Sequence, residues 1–302
     1  MIAARGLVSL ACSAAGMTLW KMSLVIEIKI IDMKRFLLVF VALWGILASP
    51  AQVKESYKVE VGQFDKLKVS DNVNVVYRCL PDSSGYVQYV GSREFADAFI
   101  ITPKGGTLRI QVSTEDVGNP DLPTLYVYSD FLTSVENASS FAVVVENPAP
   151  CAEFSAKEVG NGSITVENLH ANKVKAMIAT GNGSVNVSGR CQEAELKMLG
   201  TGVISADRLE ASQVDCKILG SGTIGCWPVE RLTAKGIGST KIYYKGDPVV
   251  KKSGGGKLFR LPEGEQLDAV VVEENADGGR DSDDEDRNDE MSDDDSDSVV
   301  ED

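Results

Sequence analysis

A G-x-G element returns five times in the second half of this chain, and its spacing restricts the fold more than any other feature. The copies are Gly160-Asn161-Gly162, Gly181-Asn182-Gly183, Gly200-Thr201-Gly202, Gly220-Ser221-Gly222 and Gly236-Ile237-Gly238, at intervals of 21, 19, 20 and 16 residues. A near-constant period of about 20 is the mark of a solenoid, in which each repeat buries its apolar face only by stacking on the next. Four places after the first glycine of the first four copies stand Ile164, Val185, Ile204 and Ile224; six places after stand Val166, Val187, Ala206 and Cys226. Ahead of the later copies, Leu196, Cys216 and Leu232 align, as do Met198, Ile218 and Ala234. These columns predict inward-facing ladders whose rungs lie ~4.8 Å apart. The glycines are read as corners, because glycine reaches positive φ without steric cost. Strands flank each copy and no helix follows, so a phosphate-cradling loop is not indicated.

The region before the ladder also reads as strands. Leu67-Lys68-Val69, Leu108-Arg109-Ile110-Gln111-Val112 and Leu125-Tyr126-Val127-Tyr128 alternate apolar and polar residues, the signature of a half-buried strand. Pro81-Asp82-Ser83-Ser84-Gly85, Lys104-Gly105-Gly106 and Gly118-Asn119-Pro120 separate them, and Pro148-Ala149-Pro150 marks a joint. The expected organisation is a signal segment with an upstream extension at 1–51, an N-terminal β region of the solenoid at 52–150, a β-helix ladder at 151–262, and a disordered acidic tail at 263–302.

Met33-Lys34-Arg35, the apolar run Phe36 to Leu47 and the small residues Ala48-Ser49-Pro50-Ala51 have the three-part layout of a secretory signal. Cleavage is expected after Ala51, with an uncleaved anchor as the alternative. Residues 1–32 fit poorly ahead of such a signal, and a start at Met33 accounts for them. Export to the periplasm, outer membrane or cell surface follows from this reading, and membrane contact only through this segment.

Charge is divided sharply along the chain. The formal net charge is −14, and residues 273–302 alone hold 16 Asp and Glu against Arg280 and Arg287. The stretch 52–272 has 23 basic and 26 acidic residues and is close to neutral. That argues against nucleic acid as a partner, since phosphate neutralisation needs clustered Lys and Arg. The tail lacks aromatic residues and reads as solvated and disordered. Its carboxylates suit weak, multivalent divalent-cation binding rather than one tight site, because the spacing matches no EF-hand loop. The ladder before Pro262 is expected to hold without it, so that a chain ending near Gly264 keeps its melting temperature.

At this point the residues resemble a known family. Phe64-Asp65-Lys66-Leu67-Lys68-Val69, Asn72-Val73-Asn74-Val75, Thr107-Leu108-Arg109-Ile110 and Leu122-Pro123-Thr124-Leu125-Tyr126-Val127, followed by the G-x-G ladder, look like the auto-transporter adhesin "head GIN" domain common in Bacteroidetes. The resemblance covers about residues 57–250. It implies an all-β, single-stranded right-handed β-helix and an exported location, with no established chemistry. Asn137-Ala138-Ser139-Ser140 stands where the family often carries Gly-Ser-Gly, which puts that corner in question.

The candidate chemical residues are few. His170 is the one histidine, so Ser-His-Asp or Cys-His catalysis would have to be built around it, and it is read as a surface residue at the edge of a coil. Cys79, Cys151, Cys191, Cys216 and Cys226 follow the signal segment. Cys216 and Cys226 fall in apolar columns and read as small hydrophobes. Cys151 and Cys191 are two rungs apart, roughly 9.6 Å, beyond the reach of a disulfide. Glu167, Glu193, Glu195, Asp207 and Asp215 are the acids from which a paired-carboxylate glycosidase site could be assembled, but their offsets differ. No catalytic, cofactor or metal residue is assigned, and the ten glycines stand as structural corner residues.

The expected function is a non-enzymatic envelope or surface interaction protein, with adhesion among its roles, offering a repetitive surface to a glycan or protein ligand. The alternatives are a polysaccharide-active β-helix enzyme and a structural envelope protein that self-associates. Ile204→Asp or Ile224→Asp is expected to be severe, and Ser205→Asp mild because Ser205 alternates outward.

Overall fold

The computed structural model describes residues 55–267, apart from 93, 94, 96, 114, 117–120 and 263. The expected signal segment at 1–51 and the chain beyond Leu267 lie outside the described residues. In chain order the strands are β1 (Glu55–Glu60), β2 (Lys66–Val69), β3 (Val75–Cys79), β4 (Tyr86–Gly91), β5 (Phe99–Lys104), β6 (Thr107–Val112), β7 (Leu125–Ser129), β8 (Ser134–Asn137), β9 (Ala142–Glu146) and β10 (Cys151–Glu158). There follow β11 (Ser163–Ile178), β12 (Asn182–Met198), β13 (Thr201–Ile218), β14 (Gly222–Gly236), β15 (Thr240–Tyr244), β16 (Val249–Gly254) and β17 (Lys257–Arg260).

The long strands β11 to β14 each run through a corner, so that each contributes two arms. Second arms stack in parallel on β10 and end on β16; first arms stack on β9 and end on β15 and β17. The result is a β-solenoid with two walls. One wall carries β5, β6, β2, β8, β10, the second arms and β16. The other carries β1, β4, β7, β3, β9, the first arms, β15 and β17. Alternation explains which side is buried: Ile164, Val166, Val174, Ala176 and Ile178 of β11 are all inside, and Thr165, Lys173 and Lys175 face out. Inward residues of both walls form one continuous apolar core, each fully buried Leu, Ile or Val contributing about 1.5–3 kcal/mol.

Winding does not follow chain order at the N-terminal end. β2 lies between β6 and β8, and β3 between β7 and β9. The first rung is thus inserted between the second and third. Antiparallel strands then close that end, with β5 on β6, β4 on β7 and β1 on β4. Antiparallel closure ends the parallel stack and keeps its edge from templating further strands.

The uneven period is absorbed at the corner between first and second arms. Val166 to Leu169 spans three steps where the rung above, Val187 to Gly189, spans two. The largest adjustment lies between β13 and β14, where Ala206 to Gln213 is matched by the shorter Cys226 to Arg231. That loss of two residues shifts the fifth G-x-G element. Gly236 continues the apolar column Ile178, Met198, Ile218, and Gly238 stacks on Gly220. The sequence alignment of Leu232 with Cys216 and of Ala234 with Ile218 is therefore corrected: Leu232 pairs with Val214 and Ala234 with Cys216.

The fold also continues past residue 262, which corrects the expected boundary of the tail. Leu267 is fully buried and forms a small outer core with Tyr243, Leu261 and the half-buried Val203. Its N–H donates to Asp207 Oδ2 at 3.2 Å. This segment lies over the outward side of the first arms and covers Ser205. Ser205 does alternate outward, but it is 1% exposed and donates to Asp207 Oδ1 at 2.8 Å.

Candidate functional site

The corner at the G-x-G elements is the most sharply built part of the surface. Glycine is required there for two different reasons. Gly181 and Gly202 have φ of 78° and 125°, where an L side chain is strained. Gly160, Gly162 and Gly220 are not in that region, yet a Cβ on each would collide with a carbonyl oxygen of the rung below, on Ser139, Phe141 and Gly200 respectively. Close approach of successive rungs, as much as turning, keeps these positions free of side chains. Gly183, Gly200, Gly222 and Gly238 are packed against the preceding rung in the same way, as is Gly236 in its shifted column.

The corner at Asn137–Phe141 forms without glycine. Asn137 Oδ1 accepts from the N–H and hydroxyl of Ser139 at 3.1 and 2.8 Å, and Asn137 Nδ2 donates to the Phe141 carbonyl at 2.9 Å. The amide side chain supplies the turn bonds locally, as Asn does in turns generally. The departure from the family pattern therefore leaves the corner intact.

Missing side chains leave a groove along this corner. It is lined by Asn74, Ser140, Phe141 and Ala142, then Asn161, Gly162 and Ser163, then Asn182, Gly183 and Ser184, and finally Gly202 and Val203, with a volume of about 530 Å³. A second depression of about 540 Å³ shares Asn161 and Asn182 and continues over Gly200, Thr201, Gly220 and Ser221. None of these lining residues is charged. The asparagines are held in place: Asn161 Oδ1 accepts from the Asn182 N–H at 2.9 Å, and Asn74 Oδ1 from the Ala142 N–H at 3.2 Å. Beside the second depression runs an exposed apolar ridge on successive rungs, Leu199, Leu219 and Ile237, the last two 68% and 77% exposed.

Beneath the glycines lies an acid that pattern reading passed over. Glu158 sits in the inward column next to Asn137 and is fully buried. Its Oε1 accepts from the Gly160 N–H at 2.9 Å, and Oε2 has no hydrogen-bond partner among the described residues. Burial pushes this carboxyl up to about 7, against the opposing pull of the Gly160 N–H, the Asn137 side chain and the Gly162 N–H. A Cβ on Gly183 would lie 2.5 Å from Glu158 Cγ. The strict alternation of β10 was the available signal, since it puts Glu158 inside with Phe154 and Ala156.

The foreseen acids do not gather in this groove. Glu193, Glu195 and Asp215 face out on the second arms, and Glu167 and Asp207 lie at the far ends of first arms. Glu195 and Asp215 are in register on adjacent rungs. Glu195, however, is bonded by Lys217 at 2.5 Å and Lys197 at 3.1 Å, and these lysines hold it down to about 2, against its partial burial. Asp207 is buried and paired with Lys245 Nζ at 3.3 Å. His170 is exposed at the second corner, in register with Arg190. The five described cysteines are free thiols; Cys151 and Cys191 are separated by the rung of Ala171. Burial raises the Cys191 thiol to about 12, which makes it a poor nucleophile. Among the described residues no group of three His, Cys, Asp or Glu could hold a metal.

Known structures share this architecture. A protein described as a putative adhesin from Bacteroides fragilis matches with a TM-score of 0.62 at 23% identity, covering 70% of this chain and 99% of that one. One described as a putative lipid binding protein from Parabacteroides distasonis matches with a TM-score of 0.55 at 21% identity, over 69% and 97%. A putative adhesin from Parabacteroides merdae matches with a TM-score of 0.52 at 18% identity, over 68% and 95%. At these identities the likeness concerns the fold. Among curated proteins there is no match. A family model matches residues 63–248, from just ahead of β2 to the residue before β16. On that match the chain belongs to the family described as "putative auto-transporter adhesin, head GIN domain".

Proposed function

We propose that this protein is exported and acts by binding rather than catalysis, holding an extended, uncharged glycan along the G-x-G corner. One observation carries the reading: a groove floored by glycine crosses adjacent rungs and is lined by Asn, Ser and one half-buried aromatic, Phe141, without a charged group. Amide and hydroxyl groups repeating every ~4.8 Å offer donors and acceptors in a row to a polymer of hydroxyls. Each contact is weak, and repetition supplies avidity. A glycosidase needs two carboxyls set about the scissile bond. Here the acid beneath the floor is buried, and Glu195 is locked by two lysines at a pKa of about 2.

The test is a glycan array probed with the mature full chain and with Ser163→Trp and Ser184→Trp, which fill the groove from half-exposed positions. Binding by the parent and its loss in both variants at unchanged melting temperature supports the reading. Release of new reducing ends from any bound polysaccharide overturns the non-catalytic part, and binding only to protein ligands overturns the glycan. A mature amino terminus near Gln52 in the envelope fraction supports export.

A second reading rests on the ridge of Leu199, Leu219 and Ile237. Exposed apolar side chains on neighbouring rungs suit an apolar ligand, and one structural neighbour is described as lipid binding. Vesicle flotation with Leu219→Ser and Ile237→Ser separates this reading from the first.

A further inference from the structure

The wall formed by the second arms has an unequal charge pattern. One outward column runs Arg109, Lys68, Glu136, Lys157, Met177, Lys197, Lys217, Lys235. Glu136 is the one acid in it, and it is shared by Lys68 at 2.6 Å and Lys157 at 3.3 Å. Lys197 and Lys217 likewise share one carboxylate, Glu195, in the adjacent column. With Asp215 next to Glu195 in that column, the six cations of the first column face three carboxylates, a surplus of positive charge along rungs ~4.8 Å apart. Coulomb repulsion along such a row favours an anion that spans several rungs.

The chain carries such an anion. Residues 273–302 hold 16 Asp and Glu against two Arg, and this segment lies just beyond the last described residue. Leu267 is held at Asp207 by its N–H, at the corner where β13 turns into the wall arm that carries Lys217. Crossing that arm takes six or seven residues of strand, roughly 20–25 Å. The 13 residues from Asp268 to Arg280 reach about 45 Å when extended, so the acidic runs 281–286 and 293–297 can lie along the lysine column.

We infer that the acidic segment 273–302 of this chain occupies its own lysine column, on the wall remote from the uncharged groove. The contact is electrostatic, between a polyanion and a ladder of ammonium groups. It neutralises the wall and leaves the glycine corner as the surface open to ligands.

Zero-length carbodiimide cross-linking of the mature full chain tests this. At low salt, bonds from Asp and Glu of 273–302 are expected preferentially at Lys157, Lys197, Lys217 and Lys235. They should fade near 1 M salt, where the Debye length is about 3 Å. Equal bonding to Lys104 and Lys257, which lie off the column, overturns the proposal. In a mixture of isotope-labelled and unlabelled chains, bonds within one chain support it and a majority between chains overturn it. A full-length variant with Lys157→Gln, Lys197→Gln, Lys217→Gln and Lys235→Gln should have a larger hydrodynamic radius at low salt than the parent, and an equal radius overturns the inference. Retention of the parent chain on immobilised heparin, abolished by the four substitutions, would show the column open to an outside polyanion and would also overturn it. The cross-linking uses the unaltered chain and so stands even if the variant folds poorly.

Discussion

Leu267 fills the space that a side chain on Gly225 would take: a Cβ there would lie 2.9 Å from Leu267 Cδ2. The outward strand position that lacks a side chain is the seat of the last described residue. Asp207 completes the seat, accepting from the Leu267 N–H and pairing with Lys245.

This seat changes what truncation should do. A chain ending at Gly264 loses a fully buried leucine, about 1.5–3 kcal/mol, and bares Asp207 and Ser205. Its melting temperature should fall by several degrees. A chain ending at Val272 keeps the seat and, compared near 1 M salt where the acidic segment's hold on the lysine column is screened, should melt with the parent. Thermal denaturation of the two truncations side by side checks this, and equal melting would show that Leu267 contributes nothing.

Ile204 and Ile224 face each other in register, and both are fully buried. Ile204→Asp or Ile224→Asp should cost several kcal/mol, since each leaves an unpaired charge in the core. Ser205→Asp should also be costly, because it would set a second carboxylate beside buried Asp207. The mild outward control is Thr165→Asp on the uncovered part of the same wall. Urea unfolding of the four variants gives the ranking.

Gly220 has no need of positive φ, so Gly220→Ala isolates the steric demand of stacking. Its methyl would fall on the Gly200 carbonyl, and overpacking of this kind costs about 1–3 kcal/mol or more. The comparison is Gly105→Ala, where nothing lies within 4 Å but φ is +58°. Calorimetry should find the larger loss at Gly220.

Glu158 predicts a pH dependence with a definite sign. Its folded-state pKa, raised to about 7 by burial, exceeds the unfolded value of about 4.3. The folded chain therefore binds more protons between these values, and stability from this group is greatest below pH ~4.3 and is lost as pH rises through 7. Glu158→Gln should raise stability at pH 8 by about 1–2 kcal/mol and leave it little changed at pH 5. Melting curves at both pH values decide it. Glu195 acts oppositely, below its ordinary range as pH falls toward 2, and so does not interfere between pH 5 and 8.

Much of the architecture was legible without coordinates because its causes are local. Period-2 alternation decides which side of a strand is apolar, and it placed Ile164, Val185, Ile204 and Ile224 in one buried column. The glycine period decided the stacking, and the run of acids decided where the charge lies. What the tertiary structure alone decided depends on which distant segments meet. β2 and β3 slip between later rungs because their partners lie some 40 to 70 residues on; no local pattern records that order. The fifth G-x-G element is displaced because a corner is two residues shorter, so equal motifs take unequal places. Ser205 alternates outward as its sequence says and is buried all the same, since burial depends on what else packs there, and Leu267 packs there from 62 residues away.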